Sequence, residues 1–141
     1  MAASSRTILL VDDEPEEMQS LAACLAKEGF EALLAASGDE ALRLLETCRP
    51  FLLIADLEMP EMNGYELLEQ YTHNPESWKV AFMLIHTQWN DDFSVVPAPL
   101  NRIWQPTPSG RIIDFYWPKP LVPLEEVTKY IHRIHESLAP D

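Results

Sequence analysis

Apolar residues come in short runs along this chain, and polar stretches part them at a steady interval. "TILLV" (7–11) is short, apolar and β-branched, which predicts a strand buried on both faces. Across 15–28 the period changes, and Met18, Leu21, Ala22 and Leu25 fall on one face of a helix. Pro15 suits its first turn and Gly29 its C-terminal cap. "EALLAA" (31–36) predicts a second strand. "SGDE" (37–40) has the S-x-x-E form of a capping box, opening a helix with Ala41, Leu42, Leu44 and Leu45. "FLLIA" (51–55) predicts the third strand, "MPEMNG" (59–64) a loop, and Tyr65, Leu67, Leu68 and Tyr71 a third helix. "VAFMLIH" (80–86) and "IIDFYW" (112–117) predict two more strands. Leu124, Val127, Ile131, Ile134 and Leu138 then recur at three- and four-residue steps, the stripe of an amphipathic helix. Its acidic start (Glu125, Glu126) and basic end (His132, Arg133, His135) both suit the helix dipole.

Strands alternating with helices predict an α/β fold, a parallel sheet covered on both faces. Ligands of such sheets bind outside the carboxyl ends of the strands. "FLLIADLEMP" (51–60) therefore matters, because its apolar run ends in a carboxylate at that edge. Asp56 opens into the crevice there and has no need to be buried. Residues 88–111 break the rhythm. Pro97, Pro99, Pro106 and Pro108 rule out an ordinary helix through the middle of this stretch. It is expected to be mainly irregular over 97–110, with at most a short turn at 90–96. At least one of Trp89 and Trp104 is expected to pack on the body of the domain.

Composition narrows the function. The chain has 141 residues, 47% of them hydrophobic, enough for one domain (1–141) with a real core. A net charge of −13 repels phosphate backbones and argues against direct nucleic-acid binding; it suits cations or basic partner surfaces. "MAASSR" lacks the apolar core of a signal peptide and no apolar run is long enough to span a membrane, so a cytoplasmic protein is expected. Cys24 and Cys48 have no ligand spacing and read as reduced thiols. His86 reads as a strand residue, and His73, His132 and His135 as helix-end or surface residues; no Ser-His-Asp or Cys-His set is formed.

Five polar residues follow the ends of four predicted strands: Asp12 and Asp13, Asp56, Thr87 and Lys119. Three crowded carboxylates repel one another, and a hard divalent cation removes that cost. Oxygen-only ligands point to Mg²⁺ rather than zinc. Adding an ammonium and a hydroxyl makes a site for a phosphoryl group, and a carboxylate there can act as the nucleophile.

With "ILLVDDEP", "LLIADLEMPEMNGYELL", "MLIHT" and "FYWPKP" in this order, the sequence resembles the receiver domain of two-component response regulators. The resemblance covers nearly the whole chain except 88–111. It implies a flavodoxin-like, doubly wound five-stranded parallel sheet in the order 2-1-3-4-5. It also implies that Asp56 accepts a phosphoryl group from a histidine kinase or phosphotransfer protein in a Mg²⁺-dependent reaction. Asp13 and Asp56 then ligate the metal, Asp12 acts mostly through water, and the backbone carbonyl of Glu58 is a further ligand. Thr87 and Lys119 take the phosphoryl oxygens, Thr87 and Tyr116 form the switch, and the bond before Pro120 is cis. The chain is then a signalling protein that catalyses only its own phosphorylation and dephosphorylation and acts on an unidentified downstream protein. Three residues and one segment set the chain apart from the family pattern. Gln88 stands where a small residue is usual, Glu58 and Trp89 occupy positions that tune hydrolysis of the aspartyl phosphate, and 88–111 breaks or replaces the fourth helix. That last change removes the usual basis for inferring an oligomeric state. No output domain fits after residue 138, which suits a stand-alone receiver or one excised from a longer chain. Two rival readings remain. One is a pseudo-receiver that binds constitutively. The other is a haloacid-dehalogenase-like phosphatase, whose D-x-D after the first strand is here the adjacent pair Asp12-Asp13.

Overall fold

The computed structural model describes residues 6–86, 115–118 and 123–138. In chain order these form β1 (Thr7–Val11), α1 (Pro15–Lys27), β2 (Glu31–Ala35), α2 (Gly38–Leu44), β3 (Leu52–Asp56) and α3 (Gly64–Thr72). A 3-10 turn (Pro75–Lys79), β4 (Ala81–His86), β5 (Phe115–Pro118) and a C-terminal helix (Leu124–Leu138) follow. The 3-10 turn was not apparent from hydrophobic spacing. It is opened by Asn74, whose side chain accepts from the Glu76 amide at 2.9 Å. Segment 88–111 and its two tryptophans lie outside the described residues, as do Thr87, Lys119 and Pro120.

All four strand pairings are parallel, and the order is β2-β1-β3-β4-β5, as expected. Period-two alternation sorts the apolar runs onto two faces. Leu9, Val11, Leu53, Ala55, Phe82 and Leu84 meet Ala41 of α2, its C-cap Leu45, and Leu67 and Leu68 of α3. Ile8, Leu10, Leu52, Ile54, Met83 and Ile85 meet Met18, Leu21 and Leu25 of α1 and Val127, Ile131 and Ile134 of the C-terminal helix. The inner strands need continuous apolar sequence because both of their faces are covered. The edge strand β2 is only partly buried, with Leu34 exposed.

Local signals set the helix ends. At the end of α1, Gly29 has φ 88°, its amide donates to Ala26 O and the Phe30 amide to Leu25 O. This pair of bonds closes the helix around a left-handed residue, where glycine carries no Cβ penalty. For α2, the Ser37 side chain accepts from the Glu40 amide at 3.1 Å. The Glu40 carboxylate reaches one residue further back than in a standard box, to the Ala36 amide at 2.7 Å. In α3 the box is complete between Asn63 and Glu66, at 2.7 and 2.9 Å.

Candidate phosphoacceptor site

The register between β1 and β3 builds the site. Leu10 pairs with Ile54 and Val11 with Ala55, so one more step sets Asp12 level with Asp56. By alternation both belong to the parity of Leu10 and Ile54. Asp12 prolongs the ladder, its amide donating to Ala35 O at 3.1 Å, and beyond Asp56 the Leu57 amide donates to Ile85 O at 2.8 Å. One carboxylate oxygen from each of Asp12, Asp13 and Asp56 lies within 4.8 Å of the others. Among the described residues this is the one such cluster of three metal-capable side chains.

Burial differs from the expectation for Asp56. It is the last residue of β3 and only 7% exposed, while Asp12 is 2% exposed and Asp13 is exposed. The ladder runs on past Asp56 through the Leu57 amide, and α3 closes over the strand end, so the carboxylate faces a crevice that leaves it little open surface. Both buried carboxylates are held by the same local device. Asp12 Oδ1 accepts from the Glu14 amide at 3.0 Å and Asp56 Oδ1 from the Glu58 amide at 3.1 Å. Each is a side chain bonded to the backbone two residues on, and the D-x-E pattern at 12–14 and 56–58 is its sequence trace.

Spacing alone gave no notice of what Gly64 does. It opens α3, buried, with its amide donating to Leu57 O at 3.1 Å. A Cβ on Gly64 would stand 2.8 Å from the Asp56 carbonyl oxygen and 2.7 Å from Leu84 Cδ1. Glycine therefore lets the helix start directly against the end of β3.

The donor set fits a hard divalent cation: all oxygen, anionic, with no thiolate or imidazole in it. Tyr116 lies in β5 with its backbone paired to Leu84. The last paired residues of β4 and β5 are His86 and Pro118, and Thr87 and Lys119 come next in sequence. Away from this cluster, a depression of about 310 Å³ lies between α1 and the C-terminal helix, lined in part by Cys24, Glu28, Thr128 and His132 and by none of the three aspartates.

The family model for the response regulator receiver domain matches residues 8–98. Protein PilH of Pseudomonas aeruginosa is 33% identical over 81 residues, 57% of this chain and 67% of that protein. An uncharacterized 14.6 kDa protein of Leptolyngbya boryana is 42% identical over 69 residues, 49% of this chain and 53% of the relative. A probable cyclic di-GMP phosphodiesterase of Vibrio cholerae matches over only 20% of its length. The chain thus spans two thirds, half or a fifth of these curated relatives. Among solved structures, a CheY-like receiver domain protein from Methanospirillum hungatei has a TM-score of 0.72 at 27% identity, covering 96% of this chain and 97% of that one. The chemotaxis response regulator CheY4 of Vibrio cholerae, at TM-score 0.75 and 23% identity over 92% of this chain and 98% of its own, shares the fold. With the 2-1-3-4-5 parallel sheet, three aspartates at its carboxyl edge and a matched span that runs from β1 past β4, the chain belongs to the response regulator receiver domain family.

Proposed function

We propose that this receiver domain is a working phosphoacceptor, taking a phosphoryl group on Asp56 from the phosphohistidine of a histidine kinase or phosphotransfer protein. The convergence of Asp12, Asp13 and Asp56 at one sheet edge carries this reading. In the transfer, the donor's P–N bond breaks and a P–O bond forms to a carboxylate oxygen of Asp56. The imidazole leaves with the bonding electrons and takes up a proton. Asp12, Asp13 and Asp56, with the backbone carbonyl of Glu58, would hold Mg²⁺. When bound, the ion offsets the negative charge on the carboxylates and the phosphoryl oxygens. The chain's own part is orientation: the Glu58 amide fixes one Asp56 oxygen, and Gly64 fixes the strand end behind it. Thr87 and Lys119 are assigned to the phosphoryl oxygens, Thr87 and Tyr116 to the switch, and Pro120 to a cis bond after Lys119. The domain catalyses only its own phosphorylation and dephosphorylation. It works in the cytoplasm, without membrane or nucleic acid as a direct partner, and presents an altered surface to a downstream protein.

The test is labelling with acetyl phosphate and Mg²⁺. One acid-stable, base-labile phosphoryl group is expected on the wild type and none on Asp56→Asn. A wild type that takes no label supports the pseudo-receiver instead. Steady turnover of a generic phosphoester supports the phosphatase.

A further inference from the structure

The loop that leaves Asp56 turns sharply at Pro60–Glu61–Met62, where the Met62 amide donates to Pro60 O, two residues back, at 2.7 Å. Glu61, at the centre, has φ 67° and is the one non-glycine residue with positive φ among the described residues. A three-residue turn with a left-handed centre is the strained form, and glutamate has no side-chain device that favours it. Such a conformation persists where its surroundings over-determine it.

Met62 supplies those surroundings. Its side chain lies directly on the first residue of α2: a Cβ on Gly38 would stand 2.5 Å from Met62 Sδ and 3.0 Å from Cγ. Gly38 is buried, and Met62 packs on the cluster that holds Leu57, Met59 and Tyr65. Both sides of this contact lead back to the acidic cluster. From Gly38 the path runs through Ser37 and Ala36 to Ala35, whose carbonyl accepts the Asp12 amide. From Met62 it runs through Glu61 and Pro60 to Glu58, whose amide holds Asp56 Oδ1.

We propose that Met62 is a positioning residue for the phosphoacceptor. Seated on Gly38, it holds the strained turn at Glu61 and so fixes the Glu58 backbone and the Asp56 carboxylate against Asp12 and Asp13. This deepens the phosphoacceptor reading and rests on it. With the seat empty, Glu61 relaxes to negative φ, the loop shifts, and the three carboxylates no longer present one site to a cation.

The experiment compares wild type with Met62→Ala, Met62→Leu, Gly38→Ala and the pair Met62→Ala with Glu61→Gly. Magnesium chloride alone is titrated, read by the shift in melting temperature. Amide hydrogen exchange over 58–63 is measured on metal-free protein, and labelling by acetyl phosphate follows. Met62→Ala and Gly38→Ala are each expected to weaken Mg²⁺ binding about tenfold, the scale of one strained backbone residue. Both should speed exchange in the loop, while far-ultraviolet circular dichroism stays that of the folded protein. Met62→Leu refills the seat and should restore most of the affinity. Adding Glu61→Gly to Met62→Ala should also restore it, because glycine holds φ 67° without support. Should Gly38→Ala fail to fold, the Met62 variants and the Glu61→Gly rescue carry the test. A Met62→Ala protein with wild-type Mg²⁺ affinity and wild-type exchange overturns the inference alone, provided the wild type binds Mg²⁺ and labels. A wild type that does neither overturns this inference and the phosphoacceptor reading together.

Discussion

Cys48 ends the α2 region with its thiol turned back on the helix, Sγ donating to Leu44 O at 2.9 Å. Burial pushes its pKa above the usual 9.0; the nearby Arg49 charge pulls it down and Glu31 adds to the rise. A raised folded pKa means the fold favours the neutral thiol. That contribution is fully present below the unfolded value and is lost as pH rises through the folded one. Iodoacetamide should therefore modify Cys48 more slowly in native protein than in urea, and Cys48→Ser should flatten the fall of stability at alkaline pH. Equal alkylation rates in the two states would contradict this. At the site, Asp13 is the exposed member of a cluster whose other two carboxylates are buried. Asp13→Asn should weaken Mg²⁺ binding, yet raise stability in metal-free buffer by under about 1 kcal/mol, the scale of charge interactions near water. Urea unfolding with and without Mg²⁺ separates the two effects. Gly64→Ala is a harsher change, since the Asp56 backbone carbonyl, and not the Leu84 side chain alone, blocks the new methyl. It should cost stability and phosphoacceptance together.

At the scale of elements, the C-terminal helix is clasped to the end of α1 by ring contacts. His132 lies 4.8 Å from the Phe30 ring, His135 4.7 Å from Phe51, and the two phenylalanines 5.7 Å from each other, between centroids. Arg6 covers Phe30 at 4.3 Å and donates to Gly29 O and Glu28 O. The Glu28 carboxylate meets His132 Nε2 at 3.0 Å. Phe30 is the centre of this arrangement and the residue that closes α1. Phe30→Ala should cost about 3–5 kcal/mol in urea unfolding, as for other buried aromatic truncations. A loss below about 1 kcal/mol would mean that the stack is peripheral to stability. The histidines read from spacing alone as helix-end or surface residues; only the α1–C-terminal helix crossing sets them on two phenylalanines.

For the whole molecule, a net charge of −13 and three clustered carboxylates work against the compact state, so a cation that binds only the folded form should stabilise it by linkage. Millimolar Mg²⁺ is expected to raise the melting temperature of the wild type, and to raise that of Asp56→Asn much less. A melting curve indifferent to Mg²⁺ would count heavily against an intact acidic pocket.

Sequence alone determined the strands, their order of appearance and the helix ends, because these rest on local physics. An apolar run of about five residues suits a strand rather than a helix at that length, and Ser37 and Gly29 start and stop helices through bonds to near neighbours. The candidate cluster was also within reach, since in a parallel sheet every strand's carboxyl end meets one edge. What only the tertiary structure decided depends on distant segments. Adjacency of β1 and β3 is a crossover choice that the residues leave open and only the family resemblance implied, and it brings Asp12 level with Asp56. The burial of Asp56 follows from the ladder continuing past it and from α3 starting against its carbonyl. Glu61 holds a positive φ against its own preference. Nothing local predicts that, because the support comes from Met62 resting on the first glycine of α2, and only packing between elements can stabilise a backbone state that the residue itself disfavours.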